Sequence, residues 1–230
     1  MKLSVAAMAL PYEEAPPPGA RPATGGNVTL GKIFGIDMRV GPDGTWDELF
    51  ARADALADDL TARGERVYRI PVGGSSPRGA YAFLRAAEEV RGGEWDAIVF
   101  ASSSGSTHTG LMRAFRGTPT RIVGVACDPE PLIAREFADL GNGLDRLLGE
   151  PESFSPDDYD LDFRHVGPGY GVPSEAGDAA VAWLARTEGI LLDPIYSGKA
   201  FAGLRAMVAE GSVSGRVLFW HTGGLPALFV

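Results

Sequence analysis

The sequence predicts an α/β protein made of open, twisted, mainly parallel sheets with helices on both faces, which gives three layers. Short apolar runs alternate with amphipathic helical patterns along the chain, an order typical of βαβ units. Hydrophobic residues make up 45% of the 230 residues and charged residues 22%, so the chain can form a sizeable core. At about 150 residues per domain, this length corresponds to one large domain or two small ones.

The composition disfavours several kinds of partner. The net charge of -9 argues against a nucleic-acid or anionic-membrane surface. No run approaches the roughly 18 apolar residues of a membrane span. Cys127 is the single cysteine, which excludes an internal disulfide framework, and we interpret it as a small buried hydrophobe. The three histidines, His108, His165 and His221, are too scattered to indicate a metal site.

The amino terminus carries weak and conflicting signals. Residues 1–10 faintly resemble a short signal peptide, but the apolar stretch is short and Glu13 and Glu14 follow at once. We therefore interpret them as a buried strand rather than a secretion signal, and expect a cytoplasmic protein. Residues 16–22 are rich in proline and are predicted to be a loop, because proline lacks an amide donor.

The first half of the chain shows two clear helix starts. Thr45 and Glu48 form a capping box, and the helix that follows is predicted to end at Gly64. Residues 67–72 are predicted to be a strand. Ser76 followed by proline predicts a second helix start, with the helix ending at residues 92–93. We place a domain boundary here, with 1–74 in a smaller domain and 75–230 as the larger domain.

The second half continues the alternation. A loop is predicted over residues 150–173, because prolines and glycines are concentrated there. The predicted strands are 97–101, 121–126 and 216–221, and the predicted helices are 106–115, 130–148, 174–188 and 198–210.

A serine-rich loop joins the strand at 97–101 to the helix at 106–115. Unpaired amides at a helix amino terminus and small hydroxyl side chains bind anions, so this loop predicts a site for a compact phosphate monoester. The alternative is an ordinary serine-rich helix cap. The loop is neither a Walker A loop nor a GxGxxG fingerprint. We interpret His108, just beyond it, as a surface or capping histidine rather than a phosphate neighbour.

Two later segments lie where a parallel sheet gathers its ligands, beyond the carboxyl ends of strands. Tyr196 on a loop can stack on a flat ring or transfer a proton. Thr222 can hydrogen-bond a ring nitrogen, and the paired glycines after it let a planar cofactor approach the backbone. The alternatives are a packed core tyrosine and a simple turn. His221 is interpreted as strand packing.

Taken together, these segments resemble the D-cysteine desulfhydrase and 1-aminocyclopropane-1-carboxylate deaminase family, pyridoxal-phosphate enzymes with the tryptophan-synthase β-like fold (type II). The resemblance runs from residue 26 to the end in the family's order, and is incomplete at the amino-terminal side. The matching stretches are 26–28, 70–76, 104–111, 169–173, 193–200 and 221–229.

The resemblance implies that 1–74 is a remnant of the smaller domain and that 75–230 is the larger, cofactor-binding domain. It also implies where pyridoxal phosphate binds. It implies that the serine loop holds the cofactor phosphate, that Tyr196 is a catalytic residue at the pyridine ring, and that Thr222 lies near the ring nitrogen. The implied cofactor-binding residues are Ser103, Ser104, Gly105, Ser106, Thr107, Tyr196, Thr222 and Gly223.

The resemblance also implies a lyase or deaminase acting on a small amino acid. The deaminase branch carries a glutamate after the tyrosine and a leucine before the paired glycines, where this chain has Ser197 and Thr222. A carboxylate near the ring nitrogen keeps that nitrogen protonated, and hydroxyls do so less. Both positions favour the desulfhydrase reaction, an α,β-elimination giving pyruvate, ammonia and, from cysteine, sulfide.

The family's Schiff-base lysine lies in an Asn-Lys-x-Arg-Lys segment that this sequence does not contain. Its lysines are Lys2, Lys32 and Lys199, and Lys199 matches a family lysine with a different role. We therefore expect this chain alone to be inactive. Two alternatives stay open: a fragment or split subunit that keeps only the phosphate site, and an unrelated α/β protein with another phosphorylated ligand. The expected partners are a small amino acid and either a second copy or a complementing amino-terminal chain.

Overall fold

The computed structural model describes Ser4–Val5 and residues 26–39, 45–130 and 132–229. The chain divides into two compact units, the first comprising Met1–Ile70 and Pro226–Val230 and the second Pro71–Leu225. The elements in chain order are β1 (Ser4–Val5), α1 (Gly26–Ile33), β2 (Asp37–Met38), α2 (Trp46–Ala62), α3 (Pro77–Ala86), β3 (Ala97–Ser102), α4 (Ser106–Ala114), β4 (Arg121–Ala126), α5 (Ile133–Leu148), β5 (Asp160–Asp162), α6 (Glu175–Glu188), α7 (Ser197–Glu210) and β6 (Val217–Trp220).

The second unit is built on a four-stranded sheet with strand order β5-β4-β3-β6, in which every neighbouring pair is parallel. Successive side chains of a strand point to opposite faces, and β3 is buried on both. Ala97 and Val99 pack with Met207 of α7 on one face. Ile98 and Phe100 pack with α4 on the other face. The predicted α/β class, a parallel sheet covered by helices on both faces, is confirmed.

Three helix starts follow directly from the sequence. The Thr45 side chain accepts from the Glu48 amide and the Glu48 carboxylate accepts from the Thr45 amide, so the predicted capping box is present. Ser76 and Ser174 cap α3 and α6, each accepting from the amide three residues later. Because these side chains satisfy amides that a helix leaves unpaired, the starts of helices were predicted well.

Several predicted boundaries are wrong. The predicted strand at 67–72 is not a strand, because among the described residues no neighbour pairs with its backbone. The loop predicted over 150–173 contains β5, a short edge strand of sequence Asp-Leu-Asp that carries no apolar alternation. The helix from Ser76 ends at Ala86 and is followed by a single 3-10 turn, Ala87–Glu89, before the predicted stop at 92–93.

The first unit contains a two-stranded parallel sheet, in which Ser4 pairs with Asp37 and Val5 with Met38. The strand expected near the amino terminus is present at Ser4–Val5, and the proline-rich 16–22 loop lies outside the described residues. The segment Pro226–Val230 groups with this unit, and the Gly26 amide donates to the Phe229 carbonyl at 3.0 Å. No helix in the described parts is long and apolar enough to cross a membrane.

Candidate phosphate and cofactor site

The serine-rich loop connects the carboxyl end of β3 to the first turn of α4. Gly105 has φ of 95° and precedes the helix directly, with no side-chain cap on the first turn. The first hydrogen bond of the helix runs from the Thr109 amide to the Gly105 carbonyl, at 2.9 Å. Within the described residues, the amides of positions 104–108 donate to no acceptor. This is a set of free donors at the positive end of a helix, the arrangement that binds anions.

Hydroxyl groups beside these amides also lack partners. The Ser106 and Ser75 hydroxyls are buried and make no hydrogen bond in the part of the chain that the structure describes. A buried hydroxyl without a partner costs about 1–3 kcal/mol, so such groups point to a ligand that completes them. Ser103 and Thr107 are half-buried and Ser104 is exposed. The predicted loop residues therefore lie together, with donors facing no protein acceptor.

Close backbone packing brings a second segment to the loop. A Cβ atom on Gly73, where φ is 65°, would lie 2.2 Å from the Ser104 Oγ. A Cβ on Gly79 would lie 2.2 Å from the Gly74 carbonyl oxygen and 2.8 Å from the Ser106 Oγ. The paired glycines before Ser75, next to the predicted domain boundary, thus pack against the serine loop. The free donors and the glycine cradle fit a compact phosphate group.

Tyr196 immediately precedes α7, and its hydroxyl lies 2.7 Å from the Tyr170 hydroxyl. The two rings are edge-on, with centroids 6.1 Å apart. Burial, and then the neighbouring Tyr170, raises the pKa of Tyr196 above its ordinary value, and burial also raises the pKa of Tyr170. Both phenols are therefore protonated at neutral pH, and one hydroxyl donates to the other.

The buried carboxylate of Asp193 holds the turn that carries Tyr196. Its Oδ1 accepts from the Ile195 amide at 2.8 Å and the Tyr196 amide at 2.7 Å, and its Oδ2 accepts from the Ser197 amide at 2.8 Å. The Ser197 hydroxyl donates to Oδ2 and accepts from the Asp193 amide. Ser197 therefore uses its hydroxyl inside the turn.

Cys127 lies near two charged groups, Lys199 and the Asp193 carboxylate of this turn. Burial raises the pKa of the fully buried Cys127 thiol to about 12, which agrees with the predicted inert role. Lys199 is also buried, and burial lowers its pKa. Its Nζ donates to the Gly169 carbonyl at 2.9 Å, so Lys199 fixes the loop that carries Tyr170.

The parallel sheet explains why these segments lie at one edge. At the carboxyl ends of β3 and β4, the Cys127 amide donates a hydrogen bond to the Ser102 carbonyl at 3.0 Å. Thr222 and Gly223 follow β6, which pairs with β3, and both are exposed. A Cβ on Gly224 would lie 2.4 Å from the Asp193 Oδ2, so the paired glycines contact the turn that carries Tyr196.

Two histidine interpretations are wrong. His108 is fully buried, because Gly124 on β4 leaves room for its ring: a Cβ there would lie 2.7 Å from the His108 Nδ1. Its Nδ1 lies 3.2 Å from the Ser102 Oγ, and it is neither a surface nor a capping residue. His221 is exposed rather than packed, with its Nε2 3.0 Å from the Leu191 carbonyl oxygen.

His108 predicts a pH dependence of stability. Burial lowers its folded-state pKa to about 3, whereas the unfolded value is 6.5, so between these values only the unfolded chain binds the proton. Stability should therefore fall as the pH falls below 6.5. Between pH 7.5 and 5.5 we expect the wild type to lose about 1.4 kcal/mol more than the His108→Asn variant in urea unfolding. Parallel pH profiles for the two proteins would contradict this assignment.

Sequence reasoning missed four contributors: Gly73, Ser75, Tyr170 and Asp193. All four lie in stretches that carried the resemblance, and the serine after the paired glycines repeats the small-residue pattern of the loop itself. Asp193 had a local signal, because an aspartate four residues before a serine at a helix start can accept from the first-turn amides.

The fold and the site together define an α/β protein with an anion site at the carboxyl edge of a parallel sheet and a tyrosine pair at the same edge. Within the described ranges, no group of three or more His, Cys, Asp or Glu side chains could hold a metal ion. The chain belongs to the pyridoxal-phosphate dependent enzyme family, whose pattern matches residues 13–223. Enzymes of this family depend on pyridoxal phosphate, as the sequence predicted.

Individual relatives agree with this assignment. The chain is 34% identical over 215 residues to a 1-aminocyclopropane-1-carboxylate deaminase from Methylobacterium nodulans, covering 88% of this chain and 64% of the relative. The crystal structure of an ACC deaminase homologue matches with a TM-score of 0.82 and 33% identity, over 89% of this chain and 64% of that chain. O-ureido-L-serine synthase, at 18% identity and a TM-score of 0.54, shows the same fold. This chain thus spans slightly less than two thirds of its relatives' length.

Proposed function

We propose that this chain binds pyridoxal phosphate through residues 103–107 and provides the cofactor-binding part of a cytoplasmic lyase or deaminase for a small amino acid. The observation that carries this proposal is the set of free amides at positions 104–108 beside the unpartnered hydroxyl of Ser106. Amides and hydroxyls that donate only to the ligand are what a phosphate monoester requires. The family to which the chain belongs depends on pyridoxal phosphate, which carries such a phosphate group.

Each of the chain's own groups has a separate task in this proposal. When bound, pyridoxal phosphate withdraws electrons from the α-carbon of an amino acid. The serine loop would hold the phosphate and so orient the ring, and Tyr196, whose hydroxyl shares a hydrogen bond with Tyr170, would contact the ring. The Thr222 hydroxyl would serve as a hydrogen-bond partner of the ring nitrogen. Asp193 holds Tyr196 in place through its backbone amide.

For the reaction we propose α,β-elimination of the D-cysteine desulfhydrase type. One cysteine and one water give pyruvate, ammonia and hydrogen sulfide. A neutral hydroxyl such as Thr222 near the ring nitrogen supports a protonated ring less than a carboxylate does, which suits a substrate with a good leaving group. The named relatives instead favour opening of the ring of 1-aminocyclopropane-1-carboxylate. Comparing sulfide and pyruvate from D-cysteine with oxobutanoate from the cyclopropane substrate separates the two.

The second candidate is a catalytically incomplete chain that keeps only the phosphate site. The structure describes two of the chain's lysines. Lys32 is exposed in the last turn of α1, and the Lys199 Nζ donates to the Gly169 carbonyl. Covalent attachment of the cofactor requires an amine at the ring. We therefore propose that the chain alone binds the cofactor but does not turn over either substrate.

The phosphate site is tested by removing the hydroxyl of Ser106. Because that hydroxyl is buried without a partner, Ser106→Ala should leave the free energy of unfolding unchanged or slightly higher. It should raise the Kd for pyridoxal phosphate about tenfold, the effect of losing one hydrogen bond to a charged group. Thr107→Ala should also weaken binding. Titrations followed by cofactor absorbance, together with urea unfolding, measure both quantities.

Two controls make the result specific. Pyridoxal, which lacks the phosphate, should bind Ser106→Ala and the wild type equally. Thr187→Ala, which removes a hydroxyl on the exposed face of α6, should leave the Kd unchanged. An unchanged Kd for pyridoxal phosphate in Ser106→Ala would remove the loop from the proposal.

A further inference from the structure

The imidazole of His221 makes one hydrogen bond through each of its two ring nitrogens. Its Nδ1 accepts from the Gly223 amide at 3.2 Å, and its Nε2 lies 3.0 Å from the Leu191 carbonyl oxygen. Because the Gly223 amide is a donor, Nδ1 carries no proton, so the ring proton is on Nε2 and is donated to Leu191. A ring protonated on both nitrogens could not accept from Gly223. The two bonds therefore fix a neutral imidazole in one tautomer.

The bond to Gly223 orders an exposed turn. Thr222 and Gly223 follow β6 directly, belong to no helix or strand in the described part of the chain, and are exposed. Gly223 has φ of 103°, a conformation open to glycine. Glycine loses more backbone freedom than any other residue when a turn is fixed, so the shape of this turn depends on the contacts that hold it. His221 supplies one of these contacts from the position just before Thr222.

The bond to Leu191 ties this turn to a buried part of the chain. Leu191 lies two residues before the fully buried Asp193, whose carboxylate accepts from the Tyr196 amide. A second contact joins the same segments, since a Cβ on Gly224 would lie 2.4 Å from the Asp193 Oδ2. All of these residues belong to the second unit. Two separate contacts thus hold the turn of Thr222 against the turn of Tyr196.

We propose that His221 is a positioning residue, whose two ring nitrogens hold the Thr222 hydroxyl at a fixed place relative to Tyr196. The inference rests on the proposed function, in which both side chains face the cofactor ring. A hydroxyl that the fold already holds in place loses less conformational entropy when it bonds a ligand, so the affinity for the ring is higher. The serine loop takes no part in this arrangement. Binding of a phosphate group alone should therefore not depend on His221.

His221→Phe tests the role, because it keeps an aromatic ring beside Phe219, whose centroid lies 6.3 Å away, but has neither nitrogen. It should raise the Kd for pyridoxal phosphate about fivefold, the effect of losing one neutral hydrogen bond, with little change in the urea midpoint. Thr222→Val should raise the Kd by the same factor. The double variant should bind no more weakly than Thr222→Val alone, because His221 acts through that hydroxyl.

Two further measurements separate positioning from a general structural effect. His221→Asn, whose Oδ1 can accept from the Gly223 amide in place of Nδ1, should recover part of the lost affinity and slow the exchange of that amide relative to His221→Phe. The affinity for inorganic phosphate, followed in amide spectra of the serine loop, should be equal in the wild type and all of these variants.

Three results would each overturn the positioning role and leave the proposed function standing. They are a wild-type affinity for pyridoxal phosphate in His221→Phe, losses that multiply in the double variant, and a loss of inorganic phosphate affinity equal to the loss for the cofactor. A wild type that binds no pyridoxal phosphate would reject the proposed function, and the positioning role with it.

Discussion

Replacing Gly105 by valine should abolish detectable binding of pyridoxal phosphate and lower the free energy of unfolding by about 2–5 kcal/mol. Gly105 has φ of 95°, a conformation that side chains with a Cβ rarely adopt. A Cβ there would also lie 2.5 Å from Cδ1 of Phe137, a ring buried in the core. The backbone must shift to relieve the contact, and the free amides of the loop shift with it.

The affinity should fall by two orders of magnitude or more, since losing two hydrogen bonds to a charged group costs about 3–6 kcal/mol. Urea unfolding and absorbance titration separate the two effects. Gly117→Val is the matched control: its φ is 79°, and a Cβ there meets nothing within 4 Å. That variant should lose some stability from strain alone and keep its affinity. If Gly105→Val stays folded and binds like the wild type, the loop does not hold the phosphate.

Replacing Asp193 by alanine should be the second large effect, a loss of about 2–5 kcal/mol of stability with weaker cofactor binding. The carboxylate is fully buried and accepts from the amides of Ile195, Tyr196 and Ser197 and from the Ser197 hydroxyl. Removing it leaves buried donors without an acceptor and frees the turn that positions Tyr196. Urea unfolding measures the first consequence, and the near-ultraviolet spectrum of the paired tyrosines measures the second.

Asp193→Asn keeps the shape and one acceptor oxygen, so it should lose less stability than alanine. Asp178→Ala, at an exposed position in the first turn of α6, removes a carboxylate near a helix amino terminus without burying an unpaired donor. It should cost at most about 1 kcal/mol and leave cofactor affinity unchanged. Equal losses for Asp193→Ala and Asp178→Ala would show that the buried turn is not held by its carboxylate.

Much of the second unit could be predicted because its signals are local. Apolar runs of five and six residues gave β3 and β4 within one residue, and the serine caps gave the starts of α3 and α6. β5 was missed because an edge strand of three residues needs no apolar alternation. Its Asp160 carboxylate instead accepts from the Arg121 guanidinium at 2.6 Å, a contact that depends on the tertiary structure.

The candidate site was predicted less evenly. The serine loop and Tyr196 followed from strand ends and small residues, signals that belong to single segments. The environment of His108 could not be read from its neighbours, because it depends on Gly124 of another strand leaving space for the ring. Ser197 was expected at the ring, but its bond with Asp193 depends on the geometry of the turn. Hydrophobic periodicity predicts helices and strands, but it does not predict which side chains come into contact in the folded chain.

The central claim is that the backbone amides of the serine loop bind the phosphate of pyridoxal phosphate. Amide proton–nitrogen correlation spectra of the isotope-labelled chain, recorded during a titration with pyridoxal phosphate, test it most directly. The account predicts that the resonances of Ser104, Gly105, Ser106 and Thr107 shift together with one Kd, and that pyridoxal without phosphate leaves them in place. Resonances that stay fixed while the cofactor binds elsewhere in the chain would contradict it.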